Sequence, residues 1–113
     1  MLRKLTKNYV EAFNNKDIKT VSDLFSNDFV LEDPVVKRIE GKKNSVEAVE
    51  NIFNSCEKLS FEAKNIYIEN QITIIEFILI IDNTILTGTD IIEWENNKMK
   101  ELRAYLDIPC GEN

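Results

Sequence analysis

The sequence predicts an α+β domain in which three N-terminal helices pack on a strongly curved antiparallel sheet and enclose a pocket. Two observations lead to this fold class. Apolar residues recur mostly at spacings of three and four before Leu59, as on helices, and at spacings of two after it, as on strands. The later strands are long, and long strands in a chain of 113 residues must twist strongly. A twisted sheet backed by helices leaves a cone-shaped hollow, and the length fits a single domain, residues 1–113.

Two helices are predicted at the start of the chain. The first carries one apolar stripe and ends at Asn14-Asn15; the stripe consists of Leu2, Leu5, Tyr9, Ala12 and Phe13. The second begins at Asp17, a residue type that caps helix N-termini. Its inward residues are Ile18, Val21, Leu24 and Phe25. These stripes predict that both helices pack on the same core.

A turn, a strand and a third helix follow. Ser26–Asp28 is typical of a turn, and residues 29–33 alternate like a strand, with Phe29, Leu31 and Asp33 on one face. Pro34 ends that strand because the residue before a proline is kept extended and proline lacks an N–H. After a loop at residues 41–44, Ser45 is the predicted cap of the third helix. The buried side of that helix consists of Val46, Val49, Ile52, Phe53 and Cys56.

Four strands complete the chain, over residues 59–69, 71–82, 84–95 and 98–108. Their joints are short and rich in Asn and Asp, which tolerate the positive φ of hairpin turns, so the strands form an antiparallel meander. The second of these strands is apolar on both faces, and a strand of that kind is covered on both sides. Three helices cannot cover both faces of such a sheet. The sequence therefore predicts a homodimer through the convex face.

Composition and charge exclude several classes of function. The formal net charge of −6 opposes binding to nucleic acid and to anionic membranes. The chain has no histidine, which removes Ser-His-Asp and Cys-His hydrolases and imidazole metal sites. Two cysteines, Cys56 and Cys110, form no disulfide framework and no metal-ligand spacing. The N-terminus lacks the apolar run of a signal peptide, and residues 72–81 are too short to span a bilayer, so we expect a cytoplasmic protein.

Three polar side chains are candidates for chemistry. Asp33 shares a face with Phe29 and Leu31, although an Asp before Pro also commonly starts a turn. Asp90 shares one face of its strand with Leu86, Gly88, Ile92 and Trp94. If this face points inward, burial raises the pKa of Asp90. If the opposite face, with Thr87 and Thr89, points inward, the Asp90 side chain is exposed to water. Tyr9 lies within the first apolar stripe, where most tyrosines are simply core residues.

These stretches resemble a known family. The run from Tyr9 to Asp17, then Leu24–Asp28, then Leu31–Pro34 looks like the opening of SnoaL-like proteins, in the superfamily of nuclear transport factor 2 and ketosteroid isomerase. The segments Gly88–Trp94 and Leu102–Asp107 look like the last two strands of the same fold. The resemblance covers nearly the whole chain and implies the NTF2-like cone.

The resemblance also implies an activity. Asp33, Tyr9 and Asp90 stand where ketosteroid isomerase keeps its general base and its two oxyanion donors, a tyrosine and a protonated aspartate. The implied enzyme moves a proton through an enolate of a small apolar molecule, with neither metal nor cofactor. The implied pocket lining is Phe13, Phe25, Leu31, Phe53, Phe77, Leu79, Ile92, Trp94 and Leu106.

The chain departs from the isomerase pattern in ways that leave alternatives open. Ketosteroid isomerase supports its oxyanion tyrosine with further tyrosines, but here Phe25 stands at one of these positions and Ile52 or Phe53 at the other. Leu106 stands where the isomerase has a large aromatic residue. These departures argue against steroid-sized substrates. The alternatives are a non-catalytic ligand-binding or dimerisation module and a polyketide cyclase acting through Asp90. An epoxide hydrolase is disfavoured, because its Asp-Arg-Asp arrangement needs an inward arginine and Arg103 alternates with inward Leu102 and Ala104.

Overall fold

The structure, a computed structural model, describes residues 1–35 and 37–107. Three helices and six strands follow one another along the chain: α1 Leu2–Asn14, α2 Ile18–Leu24, β1 Phe25–Asp33, β2 Lys37–Glu40, α3 Lys42–Asn54, β3 Leu59–Glu69, β4 Ile72–Ile81, β5 Thr84–Glu95 and β6 Lys98–Asp107. None of the helices in the described residues has the length and apolar character needed to cross a membrane.

All six strands form one curved, open sheet in the order β2-β1-β6-β5-β4-β3. The pairing of β1 with β6 is parallel, and every other pair is antiparallel. The meander from β3 to β6 is continuous, and a register shift between Ala63 and Asn65 bends β3. The predicted α+β cone with helices on a curved sheet is confirmed, with the β1–β6 pair as the one parallel element.

Local signals in the sequence explain where most of these elements begin and end. Asp17 caps α2 as predicted: its Oδ1 accepts the Thr20 N–H at 3.2 Å, and its Oδ2 accepts the Thr20 hydroxyl at 2.7 Å. The predicted hairpin joints contain residues with positive φ, namely Asn70 (55°), Asp82 (53°), Asn96 (53°) and Asn97 (65°). The joints therefore fix the register of the meander.

The structure corrects three local predictions. The cap of α3 is Gly41, with φ of 95°, so the prediction of Ser45 as the cap was wrong. Strand β1 begins at Phe25 and passes through residues 26–28, where its pairing with β6 is irregular instead of forming a turn. Strand β2 was not predicted, because four mostly exposed residues carry no clear alternation. The last predicted position of the fourth meander strand, residue 108, lies outside the described residues.

The free edge of the sheet at β3 is protected by α1. The Phe61 N–H donates to the Asn14 side-chain oxygen at 2.8 Å, and the Arg3 guanidinium donates to the Ile66 carbonyl at 3.4 Å. Edge strands otherwise present unpaired backbone groups that recruit other chains. These two side chains thus hold the helix along the edge and satisfy part of it.

The helices and the concave face of the sheet enclose the core. Along β4 the buried residues alternate as Thr73, Ile75, Phe77 and Leu79, and along β5 as Asp90, Ile92 and Trp94. The predicted inward face of β5 is therefore correct. A buried hydrogen-bond network joins α1 to the sheet: the Thr73 hydroxyl accepts the Trp94 indole N–H at 2.9 Å and bonds the Thr6 hydroxyl at 3.0 Å.

The convex face of the sheet lies opposite the helices and has two parts. The apolar part, formed mainly by β3, β4 and β5, contains Ile74, Ile78, Ile80, Ile85, Ile91, Tyr67 and Tyr105, with Glu76 among them. Ile85 is 65% exposed there, and Tyr67 and Tyr105 are each 51% exposed. The charged part joins Arg38 to Glu32 and Glu101, and Arg103 to Glu93 and Glu101.

Candidate active site

A cavity of about 460 Å³ lies between the helices and the concave face of the sheet. Its walls come from α1, α3 and strands β1, β3, β4, β5 and β6, and most of the lining side chains are aliphatic or aromatic. A hollow of this size with few polar groups is typical of small-molecule sites. The polar groups on its wall that carry an acidic proton or a charge are Tyr9, Asp33 and Asp90.

Tyr9 reaches the cavity from the middle of α1. Its ring packs against Phe13, with centroids 5.9 Å apart, and against Phe61 at 6.2 Å, which fixes the direction of the side chain. Only 4% of the residue is exposed, and the hydroxyl makes no hydrogen bond within the described part of the chain. Burial and, secondly, the charge of Asp90 raise the pKa of Tyr9 well above its usual value. At neutral pH the hydroxyl therefore keeps its proton and can donate a hydrogen bond.

Asp90 reaches the same cavity from the inward face of β5. Its register partners are Ile75 on β4 and Ala104 on β6, neither of which offers a polar side chain. The residue is 4% exposed, and burial, followed by the charge of Asp33, raises the pKa of Asp90 to about 8. At neutral pH most of this carboxyl is protonated, and a protonated carboxyl is a hydrogen-bond donor.

Asp33 stands at the end of β1, on the outer part of the cavity wall. Its Oδ1 accepts the Val35 N–H at 2.8 Å across Pro34, so the turn-forming role and the cavity-lining role both occur. Asp33 is half-buried, unlike Asp90. Val35, the next residue along the chain that lines the cavity, is 69% exposed. Asp33 therefore sits closer to the mouth, while Tyr9 and Asp90 lie deeper.

The structure brings the three predicted site residues to one cavity from three elements far apart in the sequence. The charge of Asp33 contributes to the raised pKa of Asp90, and the charge of Asp90 contributes to the raised pKa of Tyr9. No lysine or arginine lines the cavity among the described residues. Arg103, as predicted, is on the convex face, where its guanidinium bonds Glu93 at 2.6 Å and Glu101 at 2.8 Å. The catalytic roles stay predictions.

Five of the nine apolar residues predicted to line the pocket do so: Phe13, Leu31, Phe77, Leu79 and Leu106. The other four, Phe25, Phe53, Ile92 and Trp94, are buried in the core and are not among the residues that line this cavity. Phe25 stacks on Phe29 at 3.8 Å, and Phe53 packs with its ring 5.0 Å from that of Phe13. Ile92 is fully buried on β5 beyond Asp90, and the indole N–H of Trp94 bonds Thr73. Core packing and hydrogen bonding therefore close this end of the hollow.

Several lining residues were not predicted. Phe61, Leu86, Leu102 and Ala104 line the wall from β3, β5 and β6. Alternation along these strands carried the signal for Leu86, Leu102 and Ala104, since each shares an inward face with a predicted inward residue. At the mouth, Val35, Ser55 and Thr84 lie in or beside loops, where no periodic pattern marks them. Within the described residues, no group of three or more His, Cys, Asp or Glu side chains has a metal-binding arrangement.

Solved structures with this fold share little sequence with the chain. An NTF2-like protein of unknown function from Cytophaga hutchinsonii superposes with a TM-score of 0.82 at 15% identity, covering 96% of this chain and 91% of that one. An LEH-like epoxide hydrolase from M. tuberculosis gives 0.77 at 18% identity, covering 92% and 80%. A hypothetical protein with a ketosteroid isomerase-like fold from Catenulispora acidiphila, in complex with trimethylamine, gives 0.79 at 11%, covering 89% and 83%. No curated protein matches the sequence.

A family model supplies the assignment that these distant likenesses do not. The model of the SnoaL-like domain matches residues 6–102, which run from the second turn of α1 to the middle of β6 and include all three candidate site residues. The NTF2-like neighbours agree with it in fold. The chain therefore belongs to the SnoaL-like domain family, within the superfamily of NTF2-like folds.

Proposed function

We propose that this protein is a cofactor-free isomerase that moves a proton within a small carbonyl compound through an enolate intermediate. The observation that carries the proposal is the Asp90 carboxyl, buried on a cavity wall without a hydrogen-bond partner in the described residues. A buried polar group without a partner is costly, so a site that keeps one is built for a ligand atom. A protonated carboxyl calls for an acceptor, such as a carbonyl oxygen.

The proposed reaction divides its roles between the mouth and the deep end of the cavity. The Asp33 carboxylate takes a proton from the carbon beside the carbonyl, and the electron pair moves onto the carbonyl oxygen. Tyr9 and Asp90 donate hydrogen bonds to that oxygen as its negative charge grows. Asp33 then returns the same proton to a different carbon, which restores the carbonyl and shifts the double bond. The sequence of steps consumes no other reactant.

The two donors are unequal in this chain. In the isomerase pattern further tyrosines support the oxyanion tyrosine, but Phe25 and Phe53 provide only rings, and the Tyr9 hydroxyl has no hydrogen bond within the described residues. Because burial and the Asp90 charge raise the pKa of Tyr9, its hydroxyl is the weaker acid of the pair. Asp90 is therefore expected to supply most of the stabilisation of the enolate. Losing one such donor costs roughly 2.7–4 kcal/mol in other enzymes.

The test is isomerisation of a β,γ-unsaturated ketone by wild type, Asp33→Asn, Asp90→Asn and Tyr9→Phe. We expect Asp33→Asn to remove nearly all activity, and Asp90→Asn to lose more of kcat than Tyr9→Phe. The rate should fall as pH rises through about 8, where Asp90 loses its proton, and Asp90→Asn should lack that decline. Equal rates in wild type and Asp33→Asn would end the proposal.

A second candidate is binding of a small organic amine without catalysis. Four aromatic rings on the cavity wall, Tyr9, Phe13, Phe61 and Phe77, contact one another, and two carboxyls stand on the same wall. Aromatic clusters with nearby acids attract ammonium ions through the ring faces and by charge. The trimethylamine complex of the Catenulispora acidiphila protein shows an amine with a protein of this fold.

The two candidates predict opposite responses to pH. Asp90 must be protonated to donate to a carbonyl but ionised to attract an ammonium ion. The other titratable groups that Asp90 senses are Asp33 from β1 and Tyr9 from α1, while its partners on β4 and β6 are Ile75 and Ala104. Tetramethylammonium binding should strengthen as pH rises through about 8, with tert-butanol as the neutral control. Binding of a saturated ketone should weaken over the same pH range.

We also propose that the protein acts as a homodimer through its convex face. The apolar part of that face would be covered by the same part of a second copy. The charged part carries both signs, with Arg38 and Arg103 beside Glu32, Glu93 and Glu101, so a two-fold arrangement can place opposite charges together at the rim.

A further inference from the structure

Gly88 interrupts the row of side chains on the inward face of β5. Its neighbours on that face, Leu86 and Asp90, line the cavity, whereas Gly88 does not. Glycine in the middle of a strand weakens it, because glycine loses more conformational freedom on folding and gives no side chain to pack. Gly88 lacks the positive φ that Gly41 has, so other residues could adopt its backbone conformation. The reason for glycine at this position therefore lies in the space around it.

The space over Gly88 is filled by its two cross-strand neighbours. These are Phe77 on β4 and Leu106 on β6, and both line the cavity. A Cβ atom on Gly88 would lie 2.8 Å from Cζ at the tip of the Phe77 ring and 3.2 Å from a Cδ atom of Leu106. It would also lie against the carbonyl oxygen of Tyr105. Carbon atoms in contact are normally about 3.5–4.0 Å apart, so these neighbours occupy the place that a side chain at Gly88 would need.

The position of the Phe77 ring tip shows how the ring lies in the cavity wall. Side chains on a sheet usually stand perpendicular to it, which would carry the ring tip into the hollow. Here the tip lies next to Gly88, so the ring leans sideways over β5. On its other side the ring contacts that of Phe61, with centroids 4.9 Å apart. A methyl group at Gly88 would therefore lift the ring off the sheet and into the cavity, next to Asp90.

We propose that Gly88 is a specificity-determining residue of the cavity. The missing side chain lets Phe77 and Leu106 fold down over β5, and this keeps the cavity wide beside Asp90. Gly88 acts through these two side chains and does not touch the ligand itself. The inference rests on the proposed function in that it takes this cavity as the ligand site. It adds that the site accepts ligands that are broad beside their polar end.

The experiment measures the binding of cyclohexanone and of 2-adamantanone by calorimetry. Both are uncharged ketones, but the cage of 2-adamantanone is broad beside the carbonyl group. We expect Gly88→Ala to lower the affinity for 2-adamantanone, relative to that for cyclohexanone, by about tenfold. Thr87→Ala is the matched control, because Thr87 is the preceding residue of β5 and its exposed side chain is on the opposite face. This control should keep the wild-type ratio of affinities.

A second variant, Phe77→Leu, tests the mechanism and covers a failure of Gly88→Ala to fold. Because leucine lacks the ring tip, Gly88→Ala should leave the ratio of affinities nearly unchanged in the Phe77→Leu background. If Gly88→Ala alone is unfolded by circular dichroism and the double variant is folded, the proposed contact is supported. If both are unfolded, the contact with the Tyr105 carbonyl explains the glycine, and the proposal is wrong.

The ratio of affinities also separates this inference from the proposed isomerase function. If the ratio changes as expected but no β,γ-unsaturated ketone is isomerised, the isomerase proposal fails and the role of Gly88 stands. If Gly88→Ala folds and changes both affinities equally, or neither, the role of Gly88 is wrong whether or not the protein is an isomerase. Absence of binding of both ketones to wild type would overturn both proposals.

Discussion

Asp90 is central to the stability of this protein and to the chemistry proposed for it. A carboxyl of this kind is cheap to bury while protonated and costly to bury while ionised. Its pKa rises from 3.8 to about 8 on folding, so between these values the unfolded chain loses a proton that the folded chain keeps. Stability is then lost as pH increases through this window, which is the reverse of what an ion-paired aspartate does.

The first prediction concerns this pH dependence. Asp90→Asn removes the titrating group, so its free energy of unfolding should exceed that of wild type by an amount that grows with pH, by roughly 1.4 kcal/mol per unit between about pH 4 and 8. Urea denaturation at several pH values measures it. Asp17→Asn, at an exposed helix cap, is the control. Folding lowers the pKa of the Asp17 carboxyl, so the difference in the free energy of unfolding between this variant and wild type should not grow with pH above 5. Parallel curves for wild type and Asp90→Asn would contradict the prediction.

Thr73 illustrates a second use of a buried polar group, one that is fully paired. Its hydroxyl contacts the Trp94 indole N–H and the Thr6 hydroxyl, and Thr6 and Thr73 have no exposed surface. This pairing explains why Trp94, expected at the pocket, is held away from it.

The second prediction follows from that pairing. Thr73→Val keeps the shape of the side chain but leaves two buried donors without an acceptor, and we expect a loss of about 2–4 kcal/mol in the free energy of unfolding. Thr73→Ser retains the hydroxyl and should lose clearly less. Thermal or urea unfolding of the three proteins provides the measurement, and similar losses for Val and Ser would indicate that packing, not hydrogen bonding, is the main role of Thr73.

At the scale of elements, the sequence predicted the helices and the long strands well because their periodicity extends over many residues. The inward face of β5 followed from the alternation of Asp90 with Ile92 and Trp94. Short elements were harder to predict: β2 has four residues, and the start of α3 depends on the positive φ of Gly41, which no apolar pattern reveals. The site residues were located by resemblance to a family, whereas alternation alone left the orientation of Asp90 open.

The third prediction belongs to helix α3. Ser45 lies inside its first turns with no exposed surface, and its Oγ has no hydrogen-bond partner in the described residues. Ser45→Ala removes an unsatisfied polar atom and introduces a better helix former, so the free energy of unfolding should increase by about 1 kcal/mol. Ser55→Ala, whose hydroxyl bonds the Ile52 carbonyl at 2.7 Å, provides a contrast and should not stabilise. A loss of stability in Ser45→Ala would show that this hydroxyl has a partner.

At the scale of the whole molecule, the two faces of the sheet are suited to different tasks. The concave face contributes to a cavity with a few acidic groups, and the convex face presents isoleucines and tyrosines beside a network of opposite charges. The apolar character of both faces of β4 was visible in the sequence, and it is this feature that led to the prediction of a dimer.

The fourth prediction concerns that dimer. Ile80 and Ile85 are register partners on the convex face, so Ile80→Lys with Ile85→Lys places two charges in the apolar part. We expect wild type to be a dimer at micromolar concentration by light scattering, and the double variant a monomer with near-native circular dichroism. Lys42→Ala with Lys43→Ala, at the start of α3 on the helix side of the sheet, is the control and should remain dimeric. A monomeric wild type at this concentration would refute the proposed interface.

The network of Thr6, Thr73 and Trp94 has a consequence for the passage of molecules through the protein. Because it plugs the narrow end of the cone beyond Asp90, the deep groups are reached from the side of Val35 and Thr84. In the proposed isomerase, product would then leave through the same opening by which the next substrate enters. Accumulated product would compete with substrate for the cavity, so turnover would slow by competitive product inhibition.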